Sequence, residues 1–293
     1  MKTLEIARVE FGNIIRSNKF HAIVVIFTLT LFSGLCKTME PVFVMAPGGP
    51  APPTMELGPK VMEVVGDYIY MLVPLVAIIL GFDAISSKVE KGIARTLLTQ
   101  PVFRDNIIVG TFIAGLISLS ASVIIPLALS LSLTVLLLGI TPSLADITLL
   151  ANYMGLVAVF ALAYYALSVF FSTISGSSVK SLIACIIVWL FSSLILPRLS
   201  VTISRLILGP PVFKQMQMGP QIVWRIDPEY MKKYMALRNK ILFLSLDHHF
   251  SATQMQLLYG LSIKDYTGLI ILIAFSVVVL VSSFIIFVKR EVR

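Results

Sequence analysis

The chain has 293 residues, of which 57% are hydrophobic and 13% are charged, and its formal net charge is +8. The charged fraction is about half of that in soluble domains, and the mean hydropathy of +0.94 indicates a chain that lies mostly in lipid. The composition therefore excludes a soluble enzyme or binding domain and predicts a multi-pass protein of the cell membrane. Basic residues at inner span ends and on lipid headgroups explain the positive charge, and the sequence contains no basic, aromatic-rich module for nucleic acid.

Residues 1–19 predict an amphipathic helix that lies in the headgroup region. Apolar residues recur at helical spacing, while the charged residues fall largely elsewhere on the helix. A simple cytosolic segment that orients the first span remains an alternative. The apolar face consists of Leu4, Ala7, Phe11, Ile14 and Ile15.

Residues 20–197 contain five apolar segments that are long enough to cross a bilayer, and a sixth lies in residues 266–293, before a short tail. The stretch 107–140 fits either one helix kinked at Pro126 or two spans that meet there. We favour one helix, because it gives six spans, cytoplasmic N- and C-termini and basic loops inside. The fold class is thus an all-α integral membrane protein. The predicted spans are residues 20–36, 61–82, 107–140, 149–171, 181–197 and 266–288.

Two details concern the second span. Residues 37–60 are rich in proline and glycine, so we expect an irregular outer loop. Asp67 lies near the outer end of the span, and we interpret it as a carboxylate that reaches toward the headgroups rather than as a proton relay.

The longest charged interval between two apolar segments in the first two thirds of the chain is the loop 83–105, within FDAISSKVEKGIARTLLTQPVFRDN. Its apolar residues are spaced so that a short helix would have one apolar face. The loop lies on the inner side in the six-span topology. A second inner turn, STISGSSVK, is either a plain connector or a further contact for a cytosolic partner.

Residues 198–265 predict a helical segment on the outer face, before the last span. Asp227 as N-cap with Pro228 after it starts one helix, and Ser251 with Gln254 predicts the start of a second. His248, His249 and Met255 are weak candidates for a copper site. Methionine is frequent throughout this chain, so we expect packing rather than a bound metal.

The sequence is poor in catalytic and energy-coupling groups. It contains no GxxxxGK[ST] phosphate loop and no GxSxG or HExxH motif, and Cys36 and Cys185 form no metal-binding or disulfide pattern. We expect no enzymatic activity and no cofactor on this chain. Any driving force must then come from another subunit.

Residues 70–115 resemble the permease subunits of type-2 ABC exporters, in particular the NosY-like branch associated with maturation of multi-copper enzymes. The family's aromatic-Asp pair, Glu-x-Gly, Leu-Leu-x-x-Pro turn and basic residue have counterparts in the loop. The amphipathic N-terminus is similar to the family's elbow helix. The resemblance implies that ATPase coupling involves Asp83, Glu90, Lys91, Gly92, Arg95, Thr96, Leu97, Leu98, Pro101 and Arg104.

The resemblance further implies partners and a function. It implies a separate ABC ATPase subunit that holds ATP and Mg²⁺, and a second permease copy, with a homodimer expected. The function would be export driven by ATP hydrolysis, with copper or sulfur species as one possible cargo class. An alternative is an ABC-powered device that transports nothing and transmits motion through residues 198–265 to an extracytoplasmic partner protein.

Overall fold

The computed structural model describes residues 2–44, 57–90, 104–138, 143–211, 213–218, 221–260 and 265–289. The described chain is overwhelmingly helical, as the sequence predicts. From the N-terminus to the fourth apolar segment, the helices are α1 (Lys2–Ile15), α2 (Asn18–Val44), α3 (Leu57–Gly81), α4 (Ser86–Glu90), α5 (Arg104–Leu138) and α6 (Leu144–Ile174).

The remainder begins with α7 (Ser178–Leu190), which continues through a π-helical turn (Phe191–Ile195) into α8 (Leu196–Leu208). A β-hairpin and three helices follow. They are β1 (Phe213–Met218), β2 (Gln221–Ile226), α9 (Pro228–Leu242), α10 (Leu246–Gly260) and α11 (Thr267–Lys289).

Six helical stretches of the described chain are long and apolar enough to cross a membrane, which confirms the predicted number of spans. The stretch 107–140 contributes a single helix, α5, which passes through Pro126 without a break. The candidate spans are Asn18–Cys36, Met62–Glu90, Ile108–Leu133, Leu144–Ile174, Ser178–Leu208 and Thr267–Lys289.

The expectation of an irregular loop over residues 37–60 is wrong at both ends, because α2 continues to Val44 and α3 begins at Leu57. Pro41 lies within α2, and only three residues of the helix follow it. Residues 45–56 lie outside the described chain. The helix therefore outlasts the apolar segment that predicts it.

The prediction that the fifth span ends at Pro197 is wrong. In the π-helical turn the N–H of Leu196 bonds to the carbonyl oxygen of Phe191, five residues back. This wider register accommodates the proline, which cannot donate and would clash with the carbonyl four residues back in a regular helix. The helix thus runs on to Leu208.

The segment 198–265 is not wholly helical, which corrects the prediction. β1 and β2 pair antiparallel from Phe213 opposite Ile226 to Met218 opposite Gln221. Strand formers such as Ile222, Val223 and Trp224 explain the second strand. The prediction for α9 is confirmed, since Asp227 caps it by accepting a hydrogen bond from Glu229 N at 3.2 Å. The prediction that Ser251 starts the next helix is wrong, because α10 begins at Leu246.

Two compact units make up the chain: Met1–Ile186 with Phe250–Arg293, and Ile187–His249. In the first unit α6 is central and packs against α3 and α11, while α1 and α2 pack against α5. The core of α6 is aromatic, and Phe160 stacks on Phe250 of α10 with ring centroids 4.3 Å apart. In the second unit α9 packs against α8.

Candidate functional site

The charged loop between the second and third spans is only partly described. Asp83 and Glu90 lie in its described part, which runs to the end of α4, and Arg104 is the first residue of α5. The other predicted coupling residues lie outside the described residues. These are Lys91, Gly92, Arg95, Thr96, Leu97, Leu98 and Pro101.

The loop's first residues are held by the start of α2. Lys19 forms an ion pair with Asp83, and its ammonium also lies 5.0 Å from the centroid of the Phe82 ring. A cation over an aromatic face adds electrostatic attraction to the pair. The predicted coupling residue Asp83 is therefore tied to the N-terminal part of the chain.

Lys88 makes two contacts that hold this side of the loop in place. Its Nζ lies 2.8 Å from Glu10 Oε1 on α1 and donates a hydrogen bond of 2.7 Å to Thr111 Oγ1 on α5. The Lys88 side chain is only 16% exposed, so the pair is less screened by water than a surface pair. One side chain thus joins the loop to two other helices.

The N-terminal helix α1 packs closely on the start of α5. Thr3 Oγ1 donates to Asn106 Oδ1 at 2.9 Å. A Cβ at Gly110 would lie 2.8 Å from the Ile6 side chain, so the glycine permits this close approach.

The five apolar residues of the predicted elbow helix do not share one environment. Of these, Ala7 is buried within the chain and Leu4 is exposed, and the others are half-buried: Phe11, Ile14 and Ile15. The predicted amphipathic helix is present, and it is bound to the third span. Its location in the headgroup region stays a prediction.

Serine side chains fix the other side of the loop. Ser172 Oγ of α6 accepts hydrogen bonds from the backbone N–H groups of Ile85 and Ser86, each at 3.0 Å. Ser86 Oγ donates to Ser178 Oγ at 3.1 Å. The loop therefore contacts the Ser-rich turn. Contact of that turn with a cytosolic partner stays a prediction.

Glu90 caps the N-terminus of α7. Its Oε1 accepts from Ser178 N at 3.0 Å, and its Oε2 accepts from Ser178 Oγ at 2.7 Å. A carboxylate at this position also interacts favourably with the positive end of the helix dipole. Glu90 is exposed at the same time, so a bound partner could reach it.

The described part of the loop is bonded to five helices. The described part of the loop is fastened to α1, α2 and α5 through Lys19 and Lys88, and to α6 and α7 through Ser172 and Ser178. Within the described residues, no group of three or more His, Cys, Asp and Glu side chains is placed to hold a metal ion. A displacement of the loop would act on five helices together.

The weak metal candidates have other surroundings. His249 Nε2 lies 2.8 Å from the carbonyl oxygen of Phe243, which engages that ring nitrogen within the chain. Burial lowers the pKa of His248, and the nearby His249 and Arg238 lower it further. Met255, the third candidate, is exposed. Asp67 of the second span, which is not a metal candidate, is also exposed.

Sequence reasoning missed Lys88, Glu10, Thr111, Ser172 and Ser178 as part of this site. Lys88 was visible as a charge in the loop, but its partners lie 78 and 23 residues away in sequence. Pairing over such distances leaves no trace in a single sequence. The one available signal was the serine content of the second inner turn.

Comparison with known proteins supports a transport role. A family model described as ABC-2 family transporter protein matches residues 4–292, nearly the whole chain. No curated protein matches the chain significantly.

Proposed function

The chain belongs to the ABC-2 family of transporter proteins, and we propose that it couples ATP hydrolysis by a separate ATPase subunit to export of a substrate. As a member of this family with six candidate spans, it is a multi-pass permease component of an ABC transporter in the cell membrane.

The proposal rests on one observation. The loop between the second and third spans is bonded to five helices. An ATPase subunit that pushed on residues 91–103 would move Lys88 and Glu90, which are bonded to Glu10, Thr111 and Ser178. Packed helices shift as units rather than deform continuously. A small displacement at the loop would therefore reach the spans on both sides of it.

The chemistry of the chain supports a division of labour. The sequence has no phosphate loop, so ATP and Mg²⁺ would be held by the partner ATPase and this chain would hold no cofactor. A second permease copy would complete the transporter, because one ATPase pair closing as a dimer needs two coupling loops. The NosY-like branch and its copper or sulfur cargo remain predictions from the resemblance.

The test uses charge reversal in the loop. The chain is purified with the ABC ATPase that accompanies it, and ATP hydrolysis is measured in vesicles for the wild type and for a double variant, Glu90→Lys with Arg95→Glu. We expect the variant to lose the stimulation that the permease confers on the ATPase. The control is Glu229→Lys with Lys233→Glu, which reverses a 2.8 Å pair on α9. Full stimulation in the loop variant would overturn the proposal.

A second candidate, the device that transmits motion without transport, is favoured by the compactness of Ile187–His249. Such a unit could convey motion to an extracytoplasmic partner protein. Replacement of residues 210–245 by a flexible linker discriminates the two, because it leaves α8 and Phe250 in place and an exporter would retain transport that needs no partner. Loss of the partner's response together with intact ATPase stimulation would favour the device.

A further inference from the structure

Helix α8 in the second unit buries two serine side chains and exposes large aliphatic side chains. Ser200 and Ser204 are fully buried, whereas Leu206 is 79% and Ile207 is 64% exposed. A helix of a water-soluble domain shows the opposite arrangement. The exposed face of α8 is therefore suited to an apolar environment.

The hairpin that follows adds two exposed aromatic residues. Phe213 lies opposite Ile226, and Trp224 lies opposite Gln215. Because side chains alternate along a strand, Phe213 and Trp224 project from the same face. They are 55% and 63% exposed. A two-stranded hairpin is marginally stable in water, so this aromatic face needs a covering.

The hairpin is confined to the neighbourhood of a span end. The candidate span Ser178–Leu208 ends five positions before Phe213, a distance of at most about 18 Å for an extended chain. Gly209, with φ of 78°, ends the helix, and its carbonyl oxygen accepts a 2.7 Å hydrogen bond from the Tyr230 hydroxyl. This bond holds α9 to the same point.

The net charge of the second unit indicates what kind of surface covers the aromatic face of the hairpin. Residues 187–249 carry eight basic and three acidic side chains. Two of the acids are paired, Asp227 with Lys214 at 2.7 Å and Glu229 with Lys233 at 2.8 Å. The basic side chains are Arg198, Arg205, Lys214, Arg225, Lys232, Lys233, Arg238 and Lys240. Tryptophan and phenylalanine beside surplus lysine and arginine are typical of an element that lies in the headgroup layer.

We propose that residues 196–249, which follow the π-helical turn, lie along the membrane surface and bind anionic lipid. The apolar side chains of α8 and the aromatic face of the hairpin enter the boundary between headgroups and acyl chains. The basic surplus meets the anionic headgroups. The inference does not rest on the coupling role of the loop.

The two tryptophans of the chain, Trp189 and Trp224, provide the test. Trp189→Phe leaves Trp224 as the only tryptophan in the full-length protein, and Trp189→Tyr is a second route if the first variant folds poorly. The protein is placed in vesicles of phosphatidylcholine with phosphatidylglycerol. We expect blue-shifted Trp224 emission that is strongly quenched by lipid brominated near the headgroup and weakly by acrylamide. Trp224→Phe, which keeps Trp189 within the candidate span, serves as the control for quenching from the bilayer interior.

Two results would overturn the proposal. Emission that acrylamide quenches and bromolipid does not would place Trp224 in water. Emission that neither quenches would show that a second copy or another protein covers the hairpin.

The anionic part is tested separately. Removing phosphatidylglycerol should reduce bromolipid quenching, and Arg205→Gln, beside the exposed Leu206 of α8, should reduce this lipid dependence, while Lys180→Gln in the first unit should leave it unchanged. The same quenching with and without phosphatidylglycerol would contradict anionic-lipid binding.

Discussion

Lys88 Nζ on the loop lies 2.8 Å from Glu10 Oε1 on α1, and this pair joins two segments that are 78 residues apart in the chain. Both side chains are more than two-thirds buried. The N-terminal helix therefore helps to hold the loop in place, in addition to preceding the first span.

The Lys88–Glu10 pair predicts a measurable coupling energy. In a double-mutant cycle with Lys88→Gln and Glu10→Gln, followed by thermal unfolding in detergent, we expect an interaction of about 1 kcal/mol. The exposed Glu229–Lys233 pair on α9 is the control, and we expect its coupling to be smaller because water screens it. Equal couplings for the two pairs would show that burial adds nothing at Lys88.

The cap that Glu90 provides for α7 predicts an effect of Ser178→Ala. The change removes the 2.7 Å hydrogen bond from Ser178 Oγ to the carboxylate and should cost about 1 kcal/mol of unfolding free energy. Ser282→Ala is the control, because its hydroxyl bonds to the Val278 carbonyl oxygen within the same helix. A loss with Ser282→Ala as large as that with Ser178→Ala would mean that the bond to Glu90 is not what matters.

Gly81, the last residue of α3, packs against α6 with no space for a larger side chain. A Cβ at Gly81 would overlap Ser168 Oγ, so Gly81→Ala should destabilise the protein by about 1–3 kcal/mol. Adding Ser168→Ala should restore part of this loss, because it removes the overlapping atom. Gly155→Ala is the control, since a Cβ there meets nothing within 4 Å. A double variant no more stable than Gly81→Ala would refute the steric explanation.

His248 predicts a pH response of the second unit. Burial lowers the pKa of its imidazole, so the neutral form is favoured in the folded state and the unfolded state binds the proton more readily. The stabilisation is present above the ordinary histidine pKa of about 6.5 and is lost as pH falls below it. We expect the wild type to lose more thermal stability than His248→Gln between about pH 7.5 and about pH 5.5. His21→Gln should retain the wild-type response, and an unchanged response in His248→Gln would exclude His248 as its source.

The sequence was sufficient for the spans because length and apolarity decide which segments can cross a bilayer. Asp227 and Pro228 likewise predicted the start of α9 from local chemistry. The sequence did not predict that the fifth helix continues past Pro197, because this depends on a π-helical register. It did not predict the hairpin either, because the hairpin depends on cross-strand pairing of residues 213–218 with 221–226. In the site, the loop was recognisable, but the bonds of Lys88 and Ser172 join distant segments and could not be predicted from one sequence.

The most direct test of the coupling role is photo-crosslinking from the loop in the assembled transporter. A photoreactive phenylalanine derivative replaces Lys91 or Arg95, and the same group at Lys233 on α9 is the control. Adducts are identified by mass spectrometry. We expect the loop positions, but not Lys233, to crosslink to an ABC ATPase subunit, and to do so in an ATP-dependent manner. Adducts at Lys91 and Arg95 that contain no ATPase peptides would contradict the proposal that this loop is where ATP hydrolysis acts on the chain.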